Sequence, residues 1–254
     1  MSAIVSHRLH LPGTSPVHRV PAEVKIVCAV VAVFAVVATP REMFWPFAVY
    51  AAGVIVAWRS ARIGLRWIAP RLLIELPFVV LAILLPFAAG EPRTTVLGLS
   101  LSTTGLYAAW GIIAKGTIGV AISLTVAATT SIRELPGGLS RLHVPAMIVV
   151  IVVLMLRYVD VIADEAARMR LARISRGDDP RTIRQIGATA RGVGNLFLRS
   201  YERGERVHLA MLSRGFTGVI TEYGAEPATP RQWVLGIVPA VAAICVCACA
   251  LVVR

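Results

Sequence analysis

Charge is scarce in this 254-residue sequence: 16% of its residues are Asp, Glu, Lys or Arg, against about 25% in an average soluble domain. Lysine is nearly missing, Lys25 and Lys115 being its only two copies, so the basic side chains are almost all Arg. No G-x-x-x-x-G-K-[ST] run occurs. Lys115-Gly116 is the nearest approach to one and lies in an apolar stretch, which argues against an ATPase. No His, Cys, Asp or Glu cluster has metal-ligand spacing, and no Ser-His-Asp set stands out. The four cysteines, Cys28 with Cys245, Cys247 and Cys249, all sit in apolar runs, where a thiol acts as a small apolar side chain. The first twenty residues lack the apolar core of a cleavable signal. They carry Arg8, Arg19, His7, His10 and His18 around Pro12 and Pro16, so the N-terminus is expected to stay cytoplasmic. Those three histidines could attract a metal ion. Their irregular spacing favours solvated terminal residues instead.

Apolar residues are in excess: 57% of the chain, with a mean hydropathy of +0.74. A single globular core of this length cannot enclose that surplus, and exposed apolar patches of such extent invite aggregation. The sequence therefore implies an all-α polytopic membrane protein. Its net charge of +12, from 26 Lys+Arg against 14 Asp+Glu, fits basic cytoplasmic loops and calls for no nucleic-acid partner.

A membrane-crossing helix needs about 20 mostly apolar residues. Five stretches qualify: Val24–Ala38, Met43–Trp58, Ile68–Ala89, Leu106–Thr130 and Trp233–Val253. A sixth, Val144–Leu156, has only 13 residues, a length more typical of a buried or interfacial helix. The loop 59–71 holds Arg59, Arg62, Arg66 and Arg71 and no acid, which places it in the cytoplasm. If Val144–Leu156 crossed the bilayer, residues 162–231, with 12 Arg and 8 acids, would lie outside. Taken as interfacial, it leaves a cytoplasmic tail over 1–23 and four spans over 24–130. A cytoplasmic and interfacial domain then covers 131–231, and a last span covers 232–254. That makes about five transmembrane helices.

The segment from Tyr158 to Gly215 has helical spacing throughout. Val159, Ile162, Ala166, Met169 and Ala172 form one apolar stripe, and Ile183, Ile186, Ala190, Val193 and Phe197 begin another. The break between them is expected at Arg176-Gly177-Asp178-Asp179-Pro180, with Gly177 ending one helix, Asp179 capping the next and Pro180 in its first turn. Glycines at 192, 194 and 204 are candidate interruptions of the second. Both stretches end alike: Ala172-Arg173-Ile174-Ser175-Arg176-Gly177 and Ala210-Met211-Leu212-Ser213-Arg214-Gly215 each read A-x-x-S-R-G, 38 residues apart. One reading is local, since a cation in the last turn suits the helix dipole and glycine ends a helix. The other is a docking device, because a guanidinium at a helix end can bind a carboxylate-lined groove bidentately. Two matching copies favour docking.

Those paired ends resemble the signature of the transmembrane T component of energy-coupling factor transporters, the EcfT/CbiQ family. Other stretches are similar to that family too: Ser15-Pro16-Val17-His18-Arg19 with Lys25, Leu124 to Thr130, Leu139 to Pro145, Leu156-Arg157-Tyr158, Glu165 through Gly177, and Arg199 through Gly218. The resemblance implies a non-catalytic scaffold joining two ABC-type ATPases, alike or different, to a small membrane S component that binds a vitamin, cobalt or nickel. It implies docking through Ala172, Arg176 and Gly177 and through Ala210, Arg214 and Gly215, with ATP and Mg held by the ATPases and no cofactor in this chain. Arg173, a second basic residue in the first motif, would make the two docking sites unequal.

Two other classes remain at this point. A membrane-embedded enzyme would need polar groups in the spans, and Arg71, Glu75 and Lys115 are the candidates. Arg71 and Glu75, four residues apart, also suit a simple ion pair on one helix face, and Lys115 could meet an S component or a lipid headgroup. A conventional ABC permease would present one coupling loop to one ATPase, whereas this chain carries two Arg-Gly ends.

Overall fold

The computed structural model describes residues 11–88, 93–96, 99–177, 186–219 and 228–253. The chain forms two compact units, one built from residues 9–138 and 225–254 and the other from residues 139–224 with 1–8.

In the first unit, α1 (Pro16–Arg19) precedes α2 (Ala22–Ala38) and α3 (Trp45–Ala61). Helix α2 stops where Thr39 turns both its backbone N–H and its hydroxyl onto the Ala35 carbonyl, just before Pro40. Helix α3 starts with Pro46 in its first turn and ends at Arg62, which takes the left-handed conformation at φ 55°. Next come α4 (Leu65–Leu72), a 3₁₀ turn (Leu73–Glu75) and α5 (Leu76–Ala88), then a hairpin of β1 (Arg93–Val96) and β2 (Leu99–Ser102). In the hairpin, Arg93 pairs with Ser102 and Val96 with Leu99. The Ser102 hydroxyl accepts from the Gly105 N–H and caps α6 (Thr103–Thr129). After α7 (Leu135–Arg141), the chain returns to this unit as α10 (Pro230–Val252), opened by a reciprocal Thr229–Gln232 capping box.

Its packing is that of a protein solvated by lipid. The buried positions are mostly small, among them Ala35, Ala114, Ala121, Ala128, Ala243 and Ala250, while Phe34, Ile74, Phe78 and Ile83 face outward. Small residues let helix backbones approach closely where no hydrophobic effect drives association. Gly236 is the tightest case: a Cβ there would stand 2.3 Å from Val24 Cγ1, so the α10 backbone lies directly against the Val24 side chain of α2. Buried hydrogen bonds add to this. Tyr50 joins Thr39 Oγ1 at 3.0 Å and donates to the Ala243 carbonyl at 3.2 Å, and Trp58 Nε1 donates to Thr125 Oγ1 at 2.8 Å.

The second unit is built on two long helices, α8 (Ala146–Ile174) and α9 (Ile186–Leu212). Helix α8 does not stop at Leu156. The apolar run and the first amphipathic stretch are one helix of 29 residues. Nor do the glycines at 192, 194 and 204 interrupt α9, which is continuous over 27 residues. The expected cap at Asp179 and first turn at Pro180 lie outside the described residues, as does Ile183. Among the described residues, four segments are long and apolar enough to cross a membrane: Arg66–Ala88, Thr103–Thr129, Ala146–Ile174 and Pro230–Val252. Helices α2 and α3, 17 residues each, are about 26 Å long at 1.5 Å per residue, a little under the hydrocarbon thickness. The chain is a multi-pass, all-helical membrane protein carrying one short hairpin.

Candidate coupling site

The two A-x-x-S-R-G segments have the same backbone. In the first, the Arg176 N–H bonds the Arg173 carbonyl at 3.0 Å, and the Gly177 N–H bonds that of Ile174 at 3.0 Å. In the second, Arg214 bonds Met211 at 3.1 Å and Gly215 bonds Leu212 at 3.0 Å. The glycines match at φ 81° and 82°. At the second end the Phe216 N–H also bonds the Met211 carbonyl, completing a Schellman closure with Gly215 in the left-handed position. Ser175 and Ser213 each donate a hydroxyl to the carbonyl three residues back, on Ala172 and Ala210, both at 3.0 Å. The motif thus closes a helix, and Arg176 and Arg214 occupy the last position before each glycine.

Both arginines are exposed, and neither guanidinium has a hydrogen-bond or ion-pair partner among the described residues. Arg173 is different. Its guanidinium donates to Thr189 Oγ1 at 3.2 and 3.3 Å and passes close to Gly192, so it is engaged with α9. The second basic residue of the first motif is thus turned inward, as a brace within the unit.

The α8–α9 contacts run in antiparallel order. Arg173 meets Thr189, and Glu165 Oε1 and Oε2 accept from Arg199 and Arg203 at 2.9 and 3.0 Å. Further along, Val150 and Leu154 of α8 share an open cleft of about 230 Å³ with Val207 and Met211 of α9. Arg176 and Arg214 therefore lie at opposite ends of the helix pair. With 27 residues in α9, that is a separation of about 40 Å at 1.5 Å per residue. Glu165, Arg199 and Arg203 lie within family-like stretches of the sequence, but nothing in the sequence pairs residues 34 and 38 positions apart.

The polar residues of the spans are arranged otherwise than expected. Arg71 and Glu75 do not pair. Arg71 donates to the Trp67 carbonyl and stacks 3.8 Å over the Trp67 ring. The buried Glu75 accepts instead from Thr117 Oγ1 at 2.8 Å, leaving its Oε1 without a hydrogen bond. The 3₁₀ turn over Leu73–Glu75 is the cause, because it takes residue 75 out of the α-helical phase that would align it with residue 71. Lys115 donates to the Val37 carbonyl at 2.7 Å and so supplies a partner to the end of α2.

His18 is not a solvated terminal residue. Its Nε2 donates to the Leu11 carbonyl at 2.9 Å, which leaves Nδ1 to accept from Ser15 Oγ at 2.7 Å. Lys25 donates to the His18 and Thr129 carbonyls, and Glu23 accepts from the Ala228 N–H. The family-like segments at Ser15–Arg19, Lys25 and Thr129 thus meet in one place. His7 and His10 lie outside the described residues.

Among the described residues no group of His, Cys, Asp or Glu could hold a metal ion. The fold is that of a multi-pass helical membrane protein, with two exposed guanidiniums at helix ends that have no partner among the described residues. The chain belongs to the CbiQ family, described as cobalt transport protein, which it matches over residues 13–223. It is 30% identical to the "Energy-coupling factor transporter transmembrane protein EcfT" of Thermanaerovibrio acidaminovorans, across 89% of this chain and 87% of that one. It is 28% identical to the "Cobalt transport protein CbiQ" of Rhodobacter capsulatus, across 56% of this chain and 57% of that one. With the "Putative fused cobalt transport protein CbiMQ" of Methanocorpusculum labreanum it shares 25% identity over 80% of its own length and 35% of the relative's. The chain is therefore a membrane component of a transporter.

Proposed function

We propose that this chain is the coupling subunit of an energy-coupling factor transporter in a bacterial cytoplasmic membrane, with its N-terminus in the cytoplasm. Arg176 and Arg214 dock into carboxylate-lined grooves on two ABC-type ATPases, which hold ATP and Mg. The motion of the ATPases passes through α8 and α9 to a small S component that carries cobalt, nickel or a vitamin. The chain itself catalyses nothing. The observation that carries this reading is the repetition of one helix end, with the same last-turn backbone bonds, the same glycine torsion, the same serine bond and, in the same position, an exposed Arg without a partner among the described residues. A separation of about 40 Å along α9 suits two partners better than one, which favours this reading over a one-loop permease. The outward row Val193, Phe197 and Tyr201 on α9, at helical spacing, offers the S component an apolar and aromatic surface.

The packing of α8 supports an interfacial course for Val144–Leu156. The Val207–Met211 part of α9, preceded by Glu202, Arg203, Glu205 and Arg206, shares a cleft with Val150 and Leu154. If α8 crossed the bilayer, it would draw that charged stretch into hydrocarbon at a cost of about 2.5–3.5 kcal/mol per charge.

The test is uptake by cells carrying Arg176→Ala with Arg214→Ala. Uptake should vanish and the ATPases should no longer co-purify in mild detergent, while the chain still inserts into the membrane. Normal uptake would sink the proposal. Each single substitution should hurt less than the double, since the two docking points are separate.

A further inference from the structure

Glu165 bridges the two long helices by a pair of ion pairs: one oxygen holds Arg199, the other Arg203. Its side chain is only 12% exposed, although it sits on a helix whose other side chains are largely open. Both bonds are charge-assisted and they arrive from successive turns of α9, residues 199 and 203, so they fix the rotation of α9 as well as its distance. Glu165 also lies between the two other points of contact, the Arg173–Thr189 brace on one side and the open cleft beyond Tyr158 and Ile162 on the other. The apolar contact around it is thin. The cleft separates the helices on one flank, and the neighbouring Arg168 and Arg170 are exposed. Two helices in contact at so few points can hinge unless a directional contact near the middle holds them.

We propose that Glu165 is a positioning residue that locks α8 and α9 into a single lever, so that the Arg176 and Arg214 ends move together. The inference rests on the docking role of those two arginines. With the lock intact, displacement of one end by its partner is carried to the other end and to the apolar face between them. With the lock open, each partner moves only its own helix.

The experiment uses the whole transporter, with its ATPases and S component, reconstituted in liposomes. Glu165→Gln keeps the shape of the side chain and removes its charge. The complex should assemble with full ATPase content and hydrolyse ATP, while substrate taken up per ATP falls roughly fivefold, a change in the range seen for residues that modulate coupling. Reversing the charges, with Glu165→Arg, Arg199→Glu and Arg203→Glu together, should restore the ratio. A purely structural contact would lower assembly and leave the ratio unchanged in whatever complex forms. Wild-type uptake per ATP in Glu165→Gln, or an assembled charge-reversed complex that stays uncoupled, overturns the lever. Loss of assembly in both variants overturns it as well and makes Glu165 a folding contact. Arg176→Ala with Arg214→Ala serves as the reference. If that variant keeps its ATPases, the docking reading falls and takes the lever with it. If it sheds them while Glu165→Gln transports normally, only the lever falls.

Discussion

At the scale of single residues, the two glycines that follow Arg176 and Arg214 are held by backbone geometry alone. Gly177 and Gly215 sit at φ 81° and 82° with open space where a Cβ would point, so a substitution meets no clash and the cost lies in the torsion. A non-glycine residue in the left-handed region costs roughly 1–2 kcal/mol, less for Asn. Gly215→Val should loosen the Phe216–Met211 closure and swing Arg214 away from its position, whereas Gly215→Asn should keep most of it. Uptake is expected to rank wild type, then Asn, then Val, with the amount of membrane-inserted chain unchanged. Equal uptake for Asn and Val would show that the closure does not aim the arginine. The A-x-x-S-R-G repeat was plain in the sequence because every contact that builds it is local, within five residues. Glu165 was not legible as a clamp, because its partners lie 34 and 38 residues away and charged side chains on an amphipathic helix read as a solvated face.

Whole elements were legible where periodicity and punctuation agreed. The helix ends at Thr39-Pro40 and Gly177 fall where a capping residue, a proline or a glycine places them. The Arg71–Glu75 pair fails for the opposite reason, since a one-turn change to 3₁₀ geometry at Leu73–Glu75 leaves no periodic trace. Close approach between elements is equally silent in sequence. Gly236 reads as one glycine in an apolar span, yet it is where α10 lies against Val24 of α2. Gly236→Leu should overpack that contact and cost about 1–3 kcal/mol, seen as a lower melting temperature of the detergent-solubilised protein. The double variant Gly236→Ala with Val24→Ala should melt closer to wild type than Gly236→Ala alone, because it removes the side chain that the new methyl would strike. If both alanine variants melt together, the 2.3 Å approach is not what limits the site.

For the molecule as a whole, charge and packing bear on where residues 139–219 lie. The net charge of +12 is spread thinly over residues 162–231, where 12 Arg face 8 acids, and most of the excess sits in the N-terminus, short loops and span edges. Positions there matter more than the sum, since two guanidiniums at two helix ends carry the proposed function. Composition alone makes α8 long and apolar enough to cross the bilayer, but a helix crosses together with whatever is packed against it. The Glu202–Arg206 stretch of α9, which reaches the same cleft at Arg203, would have to follow. An interfacial α8 keeps all of these charges in water and lays the apolar run against lipid. The two arrangements place residues 158–219 on opposite sides of the membrane. With the four native cysteines replaced by Ala, single cysteines introduced at the exposed positions Ala167 and Glu205 should react with a membrane-impermeant maleimide in inside-out vesicles and stay unlabelled in intact cells. Labelling in intact cells would mean that α8 crosses, and it would remove Arg176 and Arg214 from the compartment where the proposed ATPase partners work.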